Sequence, residues 1–314
     1  MMWGLRIFAG LMVLLLSTYL LAEWRLKPLD DRARQAAPGA FAELSEGKIH
    51  YRWDGPESGP VVILVHGFST PNFIYEQNVE ALVAAGFRTL RFDHFGRGWS
   101  DRPRTRYDVD FYDQALIELI EAVGVEPPFG LAGLSMGGPI VAEYTARRPE
   151  QVERLVLLVP AGLDTAGADG AAAAVLLAPL IGDWVWRMVG QQILLGDPQY
   201  DEIDRAPENR LRGDVTEQMN YRGYLRALLS TLRHMPMSGR EETFQRLAQT
   251  GVPVLAIYGD QDETVLISSA DQLRALMPDA DIRVIAGGEH GLNYQRHETV
   301  NPWLVDWFRG APAQ

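Results

Sequence analysis

The sequence predicts an α/β protein with a mostly parallel central sheet flanked by helices. Short apolar runs at residues 49–53, 61–65, 87–92, 129–132, 155–159, 252–258 and 282–285 alternate with helix-length amphipathic segments at 74–85, 111–123, 136–147, 267–277 and 300–308. The runs are continuous and rich in β-branched residues and leucine, as strands covered on both faces require. Their alternation with helices implies parallel crossovers. A chain of 314 residues, 47% hydrophobic and 22% charged, also has the composition of a packed globular protein.

Between residues 160 and 251 the alternation stops and no strand is readable. Residues 171–195 are very apolar, 196–220 are polar and charged, and 224–232 turn apolar and helical again. An insertion of that length in an α/β sheet reads as a helical cap (lid) over the strand ends, where such sheets bind ligands. The expected organisation is an N-terminal segment 1–24, a linker 25–46, a core made of 47–160 and 251–311, and a cap at 161–250.

Residues 7–22 are uncharged and mostly apolar, with Arg6 before them and Arg25 and Lys27 after. The run is shorter than the roughly 20 residues a spanning helix needs. Trp3 and Trp24, however, are far enough apart to reach both interfaces, and Arg6 can snorkel. A signal-peptide cleavage site is poorly formed, because a site ending at Ala22 places Leu20 at its −3 position. The segment is read as a hydrophobic helix that anchors the protein in a membrane, with export after signal cleavage as the alternative. Nearly balanced flanking charges leave the orientation open.

The net charge of −12 argues against nucleic acid as a partner, since phosphate binding needs clustered Lys and Arg. With no cysteine, disulfides, thiolate chemistry and Cys-ligated metals are excluded.

The chemistry is concentrated at residues 133–138, Gly-Leu-Ser-Met-Gly-Gly, a G-x-S-x-G pattern between an apolar run and a helical segment. Glycines two before and two after Ser135 let a strand turn sharply into a helix with the hydroxyl at the tip. Such a serine needs a base, an acid and an oxyanion hole. Of six histidines, His290 lies just after the last expected strand and before the last helix, on the sheet edge that carries Ser135. His297 is a distant second. Residues 259–263, Gly-Asp-Gln-Asp-Glu, follow the preceding strand. Asp262 lies far enough into that loop to turn towards His290, whereas Asp260 suits a brace for the turn. Asp164 is the alternative acid. The order Ser135, Asp262, His290 is that of one hydrolase fold and not of two others. Oxyanion donors are expected from the Met136 N–H, at the start of the elbow helix, and the Phe68 N–H, in the loop after residues 61–65. His66 reads as a structural residue holding that loop through a ring hydrogen bond.

Together, His66-Gly67-Phe68, the segment Asp93-His94-Phe95-Gly96-Arg97-Gly98-Trp99-Ser100, the elbow, Gly259 with Asp262, and Gly288-Glu289-His290 resemble the successive motifs of the α/β-hydrolase superfamily. The resemblance is closest to its esterase and monoacylglycerol-lipase-like branch. It covers nearly all of residues 48–308 and is weakest in the cap. It implies a catalytic triad of Ser135, Asp262 and His290, an oxyanion hole of Phe68 and Met136, and no metal or organic cofactor. Residues 93–100 resemble a family turn that is usually structural. Haloalkane dehalogenases and epoxide hydrolases of the superfamily carry aspartate where this chain has Ser135. Carbon–carbon bond hydrolases share Ser-Met-Gly-Gly but have a more glycine-rich segment after His-Gly. Cofactor-free haloperoxidases share the triad. The function expected is hydrolysis of a lipophilic carboxylic ester, such as a monoacylglycerol or medium-chain acyl ester. The alternatives are carbon–carbon or thioester hydrolysis by the same triad, or a non-catalytic binding role.

Overall fold

Val62 and Leu64 pack on one side of the central sheet, Ile63 and Val65 on the other, and all four are buried. Burial on both faces is what the continuous apolar runs require. The computed structural model describes residues 2–166, 171–196 and 211–310. Most of the polar stretch 196–220 and the last residue of the expected core lie outside the described residues.

The strands are β1 (Ala40–Leu44), β2 (Gly47–Asp54), β3 (Val61–Val65), β4 (Arg88–Phe92), β5 (Phe129–Leu134), β6 (Val152–Leu158), β7 (Val254–Gly259) and β8 (Asp281–Ile285). They form one sheet in the order β1-β2-β4-β3-β5-β6-β7-β8. The pairings β1–β2 and β2–β4 are antiparallel, and all others are parallel. From β3 the chain passes to β4 on one side and then to β5 on the other. Strand order therefore reverses between β3 and β5, and a crevice opens at their C-terminal ends.

The helices before and within the first half are α1 (Met2–Trp24), α2 (Asp31–Arg34), α3 (Glu76–Ala84), α4 (Val109–Ala122) and α5 (Gly137–Arg147). Between β6 and β7 lie α6 (Ala171–Leu177), α7 (Ile181–Leu195), α8 (Leu211–Met219), α9 (Tyr224–His234) and α10 (Glu241–Ala248). The chain continues through α11 (Ser268–Leu276), α12 (Leu292–Gln295) and α13 (His297–Phe308). Helices α3 and α13 pack together on one face of the sheet, and α4 and α5 on the other.

Three details differ from the sequence reading. Residues 40–44, read as part of a linker, form the edge strand β1, paired along its whole length with β2. Helix α10, read as part of the cap, packs against α5: buried Glu143 of α5 binds Arg240 and Arg246 at 2.7 and 2.8 Å. The N-terminal helix also extends beyond the apolar run at both ends. Its 23 residues reach about 35 Å, enough for a hydrocarbon core of about 30 Å. By length and composition α1 can cross a membrane, and a signal sequence meets the same criteria.

Helix α1 also touches the inserted helices. Trp184 Nε1 of α7 donates to Thr18 Oγ1 at 2.9 Å, and Arg187 donates to the Ala22 carbonyl at 2.6 Å. Arg187 is paired with Glu23 at 2.9 Å. Just beyond, Lys27 forms a short bridge with Tyr221.

Candidate active site

Ser135 sits between β5 and α5 with a φ of +52°, the left-handed conformation a sharp strand-to-helix turn imposes. Its N–H donates to the Leu158 carbonyl at 2.8 Å, and its carbonyl accepts from Gly138 and Ala161. The flanking glycines answer to space. A Cβ on Gly133 would lie 2.5 Å from the Gly137 carbonyl oxygen, and one on Gly137 would lie 2.3 Å from that of Val65. The turn therefore closes against both its own helix and the end of β3.

The loop after β3 faces this turn across the crevice. A Cβ on Gly67 would stand 3.2 Å from Ser135 Cβ, so the backbone there passes directly beside the serine. His66 fixes the loop. Its Nδ1 lies 2.8 Å from the Gly67 carbonyl oxygen, and its Nε2 lies 2.9 Å from the His94 N–H. A carbonyl can only accept and an amide can only donate, so Nδ1 carries the proton and Nε2 is the acceptor. Burial drives the His66 pKa down to about 4, which keeps the ring neutral. Among the described residues, neither the Phe68 N–H nor the Met136 N–H donates to another protein atom. Two unpartnered amides beside a serine at a helix start are suited to a developing negative charge.

The loops after β7 and β8 bring the acid and base together. They run so close that a Cβ on Gly259 would lie 2.2 Å from the Gly288 carbonyl oxygen. Asp262 Oδ1 accepts from the Thr264 and Val265 N–H groups at 2.7 and 2.9 Å. Its Oδ2 lies 2.8 Å from His290 Nδ1. The carboxylate requires a proton on Nδ1, leaving His290 Nε2 to accept from Ser135 Oγ at 2.9 Å. Ser135 and His290 are each 9% exposed, and Asp262 is 5% exposed.

The other candidates are placed elsewhere. Asp260 accepts from the Gly287 N–H at 2.7 Å, bracing the turn. Asp164 binds Ser268 and has no contact with His290. His297 bonds the Tyr294 carbonyl at 2.9 Å. Asp93 and His50 form a buried pair at 2.7 Å, and Asp93 also takes the Asn72 and Trp99 N–H groups. Burial alone would raise the Asp93 carboxyl, but His50 and these donors hold it well below the usual carboxylate range. Among the described residues, no group of three or more His, Asp or Glu side chains is placed to hold a metal ion.

Two features of the site escape sequence reasoning. Arg97 is fully buried and, among the described residues, has no carboxylate partner. It donates to the Phe68 carbonyl, the Tyr112 hydroxyl and Thr231 Oγ1 of α9 at 2.8 to 2.9 Å. It thereby fastens the loop beside Ser135 to an inserted helix. The second feature is a cavity of about 350 Å³ that opens at Ser135 and His290. Phe68, Leu176, Trp186, Ile193, Leu194 and Leu232 give it apolar walls. The apolar composition of 171–195 was visible in the sequence; which of those side chains line the cavity was not.

The comparisons with known proteins agree with this architecture. A family model described as alpha/beta hydrolase fold matches residues 60–296. The carboxylesterase YbfK of Bacillus subtilis (strain 168) is 25% identical over 275 residues, covering 84% of this chain and 85% of that protein. Its crystal structure matches with a TM-score of 0.72 at 21% identity, covering 94% of this chain and 98% of that one. A putative non-heme chloroperoxidase of Synechocystis sp. is 26% identical over 268 residues, covering 80% of this chain and 92% of that protein. A 2-hydroxy-6-oxononadienedioate/2-hydroxy-6-oxononatrienedioate hydrolase 2 of Pseudomonas putida is 24% identical over 294 residues, covering 88% of this chain and 98% of that protein. With its sheet order, its elbow and a family match over most of its length, the chain belongs to the alpha/beta-hydrolase superfamily.

Proposed function

We propose that this protein is a serine hydrolase that cleaves carboxylic esters through an acyl-enzyme intermediate. The observation that carries the reading is the unbroken relay Asp262–His290–Ser135, with contacts of 2.8 and 2.9 Å. Ser135 Oγ attacks the ester carbonyl as His290 Nε2 takes its proton, and Asp262 stabilises the imidazolium through Nδ1. The Phe68 and Met136 amides bind the oxyanion. As the C–O bond breaks, the leaving alkoxide takes the proton from His290. Water then gives a proton to the same nitrogen and attacks the acyl carbon, and collapse releases the acid and restores Ser135.

The apolar cavity walls support a lipophilic acyl group, with α6–α9 serving as the cap. The length and composition of α1 support membrane association through a single N-terminal helix. Carboxylesterase, peroxidase and carbon–carbon hydrolase relatives leave the scissile bond to be assigned by assay. The test is a panel of p-nitrophenyl acetate, p-nitrophenyl octanoate, a monoacylglycerol and a dienone carbon–carbon substrate. The reading expects ester turnover that rises with acyl length. Turnover of the dienone without ester cleavage would overturn it, and equal rates on acetate and octanoate would remove its lipophilic part.

A further inference from the structure

We infer that the turn joining α6 to α7 is a second membrane-seated element, entering the leaflet that holds the C-terminal half of α1. This rests on the reading of α1 as a membrane anchor. Contacts between α1 and α7 pair Thr18 with Trp184, and Ala22 and Glu23 with Arg187, so the helices run in the same direction. Thr18 lies six residues before Trp24 at the end of α1, a depth of about 9 Å along the helix. Trp184 shares that level. Ile181, three residues earlier on α7, lies about 5 Å deeper still. An anchored α1 thus carries the start of α7 into the hydrocarbon region.

The residues at that level suit it. From 171 to 182 the chain has no charged side chain. Leu180 is 78% exposed and Ile181 60%, with Val175 half exposed beside them. Along α7 the outward face continues through Val189, also exposed, while Trp186, Gly190 and Leu194 face inward. Leu180 has a φ of +65°, a strained conformation for a leucine, and one that turns a large apolar side chain outward.

In lipid, backbone polar groups and charges must be satisfied within the protein. The turn meets that condition. Arg233 of α9 donates to the Leu177 and Ala178 carbonyls at the end of α6 and to both oxygens of Asp183, each at 3.0 Å. Asp183 in turn accepts the Leu180 N–H at 2.9 Å. The Asp183–Arg233 pair closes on itself, and the outward side chains of the turn, Val175, Leu180 and Ile181, are apolar. Helix α7 then runs from the bilayer to Ser135, its first turn in lipid and its last turns, with Ile193 and Leu194, in the cavity wall. A lipid ester reaches the serine along this helix without crossing bulk water.

The absence of cysteine makes the test direct. Leu180→Cys, Leu14→Cys in α1 and Asp279→Cys at an exposed site are each labelled with an environment-sensitive nitrobenzoxadiazole dye in the full-length protein. The proteins are placed in phosphatidylcholine vesicles with and without acyl-chain spin-labelled lipid. The expected result is quenching at 180 as strong as at 14, with none at 279. Quenching at 14 but not at 180 overturns this inference and leaves the anchor standing. No quenching at 14 overturns the anchor and the inference together. Shielding at 180 that spin-labelled lipid does not quench, and that vanishes on dilution into excess vesicles, assigns the surface to a second copy and overturns the inference. In parallel, the double variant Leu180→Asp/Ile181→Asp lowers the rate on vesicle-held monoacylglycerol relative to soluble p-nitrophenyl acetate by about tenfold or more, because buried carboxylates are costly in lipid. An unchanged ratio contradicts the inference.

Discussion

His66 Nδ1 donates to the Gly67 carbonyl at 2.8 Å, and the Phe68 N–H is the opposite end of that same peptide unit. A trans peptide holds its C=O and N–H in opposite directions, so the ring bond on one side fixes where the amide points on the other. In His66→Gln, one short amide cannot serve both the Gly67 carbonyl and the His94 N–H. The expected outcome is a fall in kcat of roughly ten- to a hundredfold with a smaller change in KM, as for a weakened oxyanion donor. Steady-state kinetics on a soluble ester check it.

The same ring gives a pH dependence. Its folded-state pKa of about 4 lies below the ordinary imidazole value. Between the two, the unfolded chain binds the proton and the folded chain does not. Stability from His66 is therefore complete above about pH 6.5 and is lost as pH falls towards 4, by about 3 kcal/mol in all. His50 acts in the opposite sense. Burial pulls its ring down, but Asp93 outweighs this and raises it, so its contribution is present at low pH and is lost as pH rises. Comparing wild type with His66→Gln by urea unfolding at pH 7 and pH 4.5 isolates the first effect. The variant has the flatter profile.

Arg97 joins the Phe68 carbonyl to Tyr112 and to Thr231 on α9. Lysine keeps the charge but not the planar fork that spans these acceptors. Arg97→Lys is expected to lose about 2 to 4 kcal/mol of stability, because buried acceptors go unpaired. Its kcat falls as well, since the Phe68 segment loosens. Thermal melts and ester kinetics at a temperature where the variant remains folded separate the two effects.

Asp262→Asn tests the acid. Its Oδ1 is held by the Thr264 and Val265 N–H groups, which an Asn oxygen would retain. The new NH2 then faces His290 Nδ1 and forces the tautomer whose Nε2 carries a proton and cannot accept one from Ser135. A drop in kcat of roughly ten-thousandfold with an intact fold is expected. Stopped-assay kinetics with circular dichroism check it.

The sequence made the site more legible than its surroundings. Ser135, Asp262 and His290 were readable because each sits at a strand end in a fixed order, and the elbow glycines have steric reasons that no other residue meets. His66 could be read as a brace because a buried ring next to a glycine has a carbonyl within reach. β1 was hidden because residues 40–44 are short, contain Glu43 and lie on an exposed edge, where one face suffices to hold the strand. The roles of Arg97 and of Trp186, Ile193 and Leu194 depend on contacts across 15 to 134 positions of sequence for Arg97, and on helix packing for the other three. Local pattern carries no record of either. The packing of α10 on α5 runs through Glu143, about a hundred positions away, and local pattern does not record it either.

The most direct test of the account is labelling of the full-length protein with a fluorophosphonate probe, read by intact mass. Wild type is predicted to gain a single adduct, mapped to Ser135 by peptide sequencing, and Ser135→Ala none. Wild-type protein that stays unlabelled while folded, or an adduct that persists in Ser135→Ala, would contradict the assignment of Ser135 as the nucleophile.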